Sequence, residues 1–331
     1  LISSTKGIKL LKNMIMDSSK LSGFVGILRE TTKIFSKNGK LMISLTLLFL
    51  SLFSISYLSL VFSANPFLVD LVKKASLVPI TIPRSPEYAE LLIDLKNDIR
   101  SFAAIEWIFV IIATALSLYF VTATIIASAL THGGKSLSCK ELLLSAAKSL
   151  KRPFFTWFYV TLLGLGFVFF FLATLLPLVL IVQQPVAVKA LAIIFAILAT
   201  VLYSYLAIIW ILAFVISALE EKCGIEALGK AAQLVKGMQL QGFALNLLFT
   251  VSSFLILLVT RLTIIKQSFA LTTIMGLVLL ICSCLLTMFR WAAYTVFYYQ
   301  CKKIHGEQVE LQGSIVYSII PTSPLLDESI P

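Results

Sequence analysis

The sequence predicts an all-α fold, a polytopic membrane protein with about six transmembrane helices, and three observations carry that prediction. Of its 331 residues, 59% are hydrophobic and 13% charged, whereas a soluble domain runs to about 45–50% and about 25%. Six apolar runs each approach the roughly 20 residues that a helix needs to cross a bilayer. Nineteen of the 27 Lys and Arg fall on alternate connections, so they gather on one side once the runs are threaded through a membrane.

Taken in order, residues 1–22 form a cytosolic N-terminal segment, and the start at Leu1 rather than methionine leaves room for an upstream segment carrying any targeting signal. The membrane domain covers 23–299. It opens on a stripe of Phe24, Ile27, Leu28, Thr31, Ile34 and Phe35 at spacings of three and four, with Arg29, Lys33 and Lys37 off the stripe. That is the pattern of a helix lying in the membrane interface. The first span is expected at about 41–62 and the second at 102–129, joined by a long loop from Ser63 to Ser101 whose acidic and basic residues balance. A second short amphipathic helix follows, striped by Leu143, Ala146, Ala147 and Leu150, with Ser138 and Glu141 at capping-box spacing and Pro153 ending or bending it. The third and fourth spans are expected at 157–182 and 187–218. A third short helix, striped by Ile225, Leu228, Ala232 and Val235, leads to spans at 243–260 and 269–289. Residues 300–331 form a cytosolic tail.

Backbone in hydrocarbon must satisfy its own hydrogen bonds, and the runs lack the alternation of barrel strands, so they are read as helices. The Lys and Arg bias places both termini in the cytosol. Cys139, Cys223 and Cys301 then face the cytosol and no cysteine falls in an exofacial loop, so a disulfide framework is not indicated. Laying 28–49 on 228–249 without gaps matches Leu28, Leu45, Leu47, Leu48 and Phe49 with Leu228, Leu245, Leu247, Leu248 and Phe249. A middle copy beginning near Leu143 fits the same frame, so the chain reads as three hairpins, each preceded by a cytosolic amphipathic helix. These helices either brace the hairpins or contact anionic lipid.

Little in the chain points to chemistry. His132 and His305 are far apart, so no His-based metal spacing exists, and Cys282 with Cys284 lies in an apolar run without further ligands. No phosphate-binding loop or nucleophile elbow is present, so no cofactor is expected. The net charge of +11 is better explained by anionic headgroups at the cytosolic face than by nucleic acid. Glu106 sits beside Trp107 at an exofacial edge. Gly164, Gly166 and Pro177 permit a bend in the third span, which could line a cavity. Arg290 falls below the headgroups if the last helix continues to Tyr299, and it either snorkels outward or pairs with Glu220 or Glu221 at the end of the fourth span. In the tail, Tyr317 to Ile320 fits a Tyr-x-x-bulky sorting signal, and Cys301 is a candidate for palmitoylation.

The run Glu220-Glu221-Lys222-Cys223-Gly224-Ile225-Glu226-Ala227-Leu228, closing with Leu234-Val235-Lys236-Gly237, resembles a family of plant integral membrane proteins without assigned function. More distantly it is similar to the membrane domain fused to some bacterial glycerophosphodiester phosphodiesterases. The resemblance covers about residues 20–305 and implies a six-helix membrane domain with interfacial cytosolic helices. It carries over no activity, because the bacterial active site lies in a separate soluble domain. The expectation is a non-enzymatic multi-pass protein of the endomembrane system or plasma membrane, a scaffold in membrane organisation or trafficking. The alternatives are a facilitative transporter or channel for a weakly polar solute, and a lipid-handling enzyme or accessory subunit built on Glu220, Glu221, Lys222, Glu226 and Arg290.

Overall fold

The computed structural model describes residues 23–78, 85–134, 138–180, 186–264 and 269–307. Within them every regular element is a helix: α1 (23–37), α2 (Gly39–Leu77), α3 (Pro86–His132), α4 (Cys139–Ser149), α5 (Lys151–Leu180), α6 (Val186–Leu219), α7 (Gly224–Leu234), α8 (Gln239–Ile264) and α9 (Phe269–Ile304). Six of them, α2, α3, α5, α6, α8 and α9, are long and apolar enough to cross a membrane, with mean hydropathy of 2.1 to 2.4 over their most apolar stretches. The order short, long, long therefore runs three times along the chain.

The expected loop from Ser63 to Ser101 is largely helix. The second helix continues to Leu77 and contains Pro66, and α3 begins at Pro86. Local chemistry explains that start. Ser85 accepts a hydrogen bond from the Tyr88 amide at 3.1 Å, and proline at the first helical position loses no bond, because its amide would have had no partner there. A charged segment outside hydrocarbon is as able to propagate a helix as an apolar one inside it. Lys74 of α2 pairs with Asp98 of α3, which ties the two extensions together. As expected of Pro153, α4 ends at Ser149, the residue four positions earlier whose carbonyl a proline cannot bond. The proline stands in the first turn of α5, where the Phe154 amide still reaches the Leu150 carbonyl at 3.0 Å. The Ser138–Glu141 capping box forms in both directions.

Packing divides the chain into two compact units. One comprises Ile43–Phe120 and Ser252–Thr287. Its centre is aromatic: Phe49 meets Tyr119 and Phe120 with ring centroids 5.4 and 5.0 Å apart. Gly276 lies so close to the Tyr57 hydroxyl that any side chain there would collide with it. The other comprises Leu1–Met42, Val121–Val251 and Met288–Pro331. In it α5 packs on α6 and α7, and α6 on α7. Gly164 rests on the ring of Trp210.

Two short helices bury a face one residue away from the expected stripe. In α4 the buried residues are Leu142, Ser145 and Ala146, and in α7 they are Gly224, Ala227, Ala231 and Leu234. Leu144 and Ile225 are exposed. In α7 three of the four buried residues are Gly or Ala, which let backbones approach closely, while bulky Ile225 turns away. In α1 the expected stripe holds, with Ile27, Thr31 and Ile34 buried and Arg29, Lys33 and Lys37 exposed. Positions 200 residues apart have matching exposure: Leu45 and Leu245 are both 0%, Phe49 and Phe249 are 0% and 1%, and Leu47 and Leu247 are 60% and 53%.

Candidate functional site

Polar side chains converge where α6 ends. The chain leaves that helix through Glu220, Glu221, Lys222 and Cys223 and enters α7 at Gly224. Gly224 has φ of +57°, a left-handed conformation, and a Cβ there would stand 3.0 Å from the Tyr159 ring. Glycine meets both demands. Its amide donates to Thr156 Oγ1 at 2.9 Å, and Thr156 in turn donates to the Arg152 carbonyl, so the turn is held against the first turns of α5.

The turn aims Glu220 into the protein, where its side chain is almost completely covered. Three donors converge on the carboxylate. Lys230 Nζ of α7 lies 2.9 Å from Oε2, Lys302 Nζ of α9 lies 3.1 Å from Oε1, and the Tyr298 hydroxyl donates to Oε1 at 2.5 Å. Glu307 closes the group from outside, 3.0 Å from Lys230 and 3.7 Å from Lys302. Burial alone would raise the Glu220 carboxyl, but hydrogen bonds from Tyr298, Lys230 and Lys302 outweigh it and hold the group below its ordinary value. Burial likewise opposes the Lys230 ammonium, and Glu220 with Glu307 more than compensates, so its value is raised. Glu221 remains exposed and meets Arg152 at 3.6 Å, while Arg152 also reaches the Glu220 carbonyl at 3.5 Å.

Arg290 is therefore not the partner of Glu220 or Glu221. Phe214 meets the ring of Trp291 at 5.2 Å, which sets α6 beside α9. Six residues beyond that contact, Glu220 comes level with Tyr298. Arg290 is on the same stripe of α9 as Tyr294, Tyr298 and Lys302 but lies eight residues before Tyr298, about 12 Å deeper. It sits over the Tyr294 ring at 5.9 Å, and its Nε has no hydrogen-bond partner among the described residues. The stripe itself was the signal for Lys302, since spacing of four from Tyr294 and Tyr298 puts it on the buried face. Nothing in the sequence singled out Lys230.

Cys301 is also placed differently from the expectation of lipidation. It is fully buried, with its Sγ 3.8 Å from the sulfur of Met238, and an acyl group cannot reach a thiol so enclosed. Tyr317 and Ile320 lie outside the described residues.

A second polar group gathers around His132 at the end of α3. Its Nε2 is 2.9 Å from Glu30 Oε1 of α1, and Gln300 of α9 donates to the other carboxylate oxygen at 3.3 Å. The imidazole stacks on Tyr299, with centroids 4.6 Å apart and planes 9° from parallel. Close by, Asn38 donates to Thr131. Glu30, His132, Tyr299, Gln300, Lys303 and Ile304 line a cavity of about 400 Å³. Nothing near His132 in the sequence points to these partners, which lie 102 residues before it and more than 160 after it.

The fold defines a multi-pass α-helical membrane protein with its polar side chains knotted where α6, α7 and α9 meet. The chain belongs to the family described as Domain of unknown function (DUF8558), whose model matches residues 16–314. No curated protein and no solved structure matches it.

Proposed function

We propose that the chain is a non-enzymatic membrane scaffold, built as three hairpins with both termini in the cytosol, whose short helices lie at the cytosolic interface against anionic headgroups. Bracing and lipid contact, alternatives from the sequence, become the two faces of one device. The inner faces of α1, α4 and α7 are buried against protein, and Glu220 ties α7 to α9. The observation that carries the reading is on the outer faces. Arg29, Lys33 and Lys37 of α1, Lys140 and Lys148 of α4 with Lys151 after it, and Lys222 and Lys236 flanking α7 are all exposed. Each short helix precedes a span, so this basic ring lies at the boundary where anionic lipid attracts Lys and Arg by about 1 kcal/mol apiece. The matching exposure of residues 200 apart supports the repeat.

The experiment is native mass spectrometry of the protein released from nanodiscs containing phosphatidylserine and phosphatidylcholine. Reversing Arg29, Lys33 and Lys37 to Glu is expected to lower retained phosphatidylserine at least about tenfold, three such charges being worth about 3 kcal/mol at most. Reversing Lys73 and Arg100 is expected to leave it unchanged. Equal retention in both variants sinks the proposal.

A further inference from the structure

The cleft beside Glu30 in the middle of α1, at the ends of α3 and α9, holds a lysine that its own carboxylate does not meet. Glu30 is already engaged through both oxygens, by His132 Nε2 and by Gln300. Lys303 has no ion-pair partner among the described residues, yet it lines the cavity. The bond from His132 to Glu30 uses Nε2, which leaves Nδ1 without a hydrogen-bond partner among the described residues. Stacking on Tyr299 fixes the plane of the imidazole. With the Nε2 proton given to Glu30, Nδ1 is an acceptor, and it donates only when the ring carries a proton on both nitrogens.

We propose that this cleft binds a phosphate ester, with Lys303 Nζ and His132 Nδ1 as the groups that take the phosphate oxygens and Glu30 as the residue that positions His132. A volume of about 400 Å³ falls within the range of small-molecule sites and exceeds the need of a bare ion. Ile304, exposed beside Lys303 in the last turn of α9, gives the cleft one apolar wall, suited to the carbon part of an ester. The same chemistry is offered by the headgroup of a phospholipid and by a soluble phosphate monoester. The inference is independent of the basic outer faces, because none of the residues on those faces lines the cavity.

Two arms separate the sources. In the first, the full chain in detergent is titrated with glycerol 3-phosphate and with inorganic phosphate by isothermal calorimetry. In the second, the chain in phosphatidylcholine nanodiscs doped with phosphatidic acid is assayed for retained phosphatidic acid by native mass spectrometry. Lys303→Gln is expected to weaken binding about tenfold in whichever arm shows it, with Lys73→Gln, equally basic, exposed and outside both the cleft and the basic ring, unchanged. His132→Gln is expected to weaken it similarly, and circular dichroism and melting check that this variant keeps its fold. Binding in the detergent arm alone identifies a soluble ester, and in the nanodisc arm alone a lipid headgroup. Absence of binding in both arms, or equal losses for Lys303→Gln and Lys73→Gln, overturns the proposal. Loss of phosphatidylserine retention on reversing α1 with Lys303-dependent binding intact would leave both readings standing, and either can fail without the other.

Discussion

Replacing Glu220 by Gln would keep the shape of the side chain but leave the ammonium groups of Lys230 and Lys302 without the carboxylate between them. Breaking a buried pair by removing one partner costs on the order of 3 kcal/mol, so Glu220→Gln is expected to melt well below the parent in detergent, and Glu221→Gln, exposed, within about 0.5 kcal/mol of it. The same cluster sets a pH dependence. Because Glu220 is held below its ordinary carboxyl value of 4.5, its contribution is complete above that value and is lost as pH falls through the lower value of the folded state. Lys230 is raised, so its contribution is complete below the ordinary 10.5 and is lost as pH rises through the higher folded value. Between those limits the difference in melting temperature between parent and Glu220→Gln should be flat, and it should shrink as the medium is acidified below about pH 4. A difference that persists unchanged into acid would show that the carboxylate carries none of the stability. Gly224→Ala is a further test, since a left-handed alanine costs about 1–2 kcal/mol before the Tyr159 ring is displaced. A melting temperature equal to the parent's would show that this turn is free to relax.

At the scale of the element, the short helices separate two kinds of apolar face. Ala231 of α7 is fully buried, whereas Ile225 is 68% exposed. Enlarging a packed site costs about 1–3 kcal/mol, so Ala231→Leu is expected to destabilise the fold by that amount. Ile225→Ala, although it removes apolar surface, is expected to change the melting temperature little. The reverse order of the two variants would put the bulky face against protein after all. A sequence reading by hydrophobicity prefers Ile225, because it weighs how apolar a residue is. The fold prefers Ala231 because close approach of α7 to α6 requires a residue with almost no side chain. In α4, three successive leucines, Leu142 to Leu144, could each have led the stripe, and Leu142 is the one fully buried, on the face that also buries Ser145 and Ala146.

For the whole molecule, the proposed topology puts Cys223 and the start of α3 on opposite sides of the membrane. Cys223 is exposed and serves as an internal reference. In sealed vesicles of known orientation, a membrane-impermeant thiol reagent is expected to label Cys223 from the cytosolic side and an engineered Ser85→Cys from the other. Labelling of both from one side would overturn the assignment of the termini and with it the basic ring. What the sequence determined by itself is the class: six helices apolar and long enough to cross a membrane, the capping box at Ser138 and the buried stripe of α1. Those features depend on residues a few positions apart, and hydrocarbon enforces them locally by leaving backbone polar groups no partner outside the helix. Tertiary structure alone decided which face of α4 and α7 meets protein, that Glu220 pairs with Lys230 and Lys302 instead of Arg290, and that His132 joins Glu30 and Gln300. Most of these partners lie tens to hundreds of residues apart, and their meeting depends on the register between helices, which bulky ring contacts such as Phe214 on Trp291 set. No local pattern along the chain encodes that register, so the charges that find each other could be known only once the helices were packed.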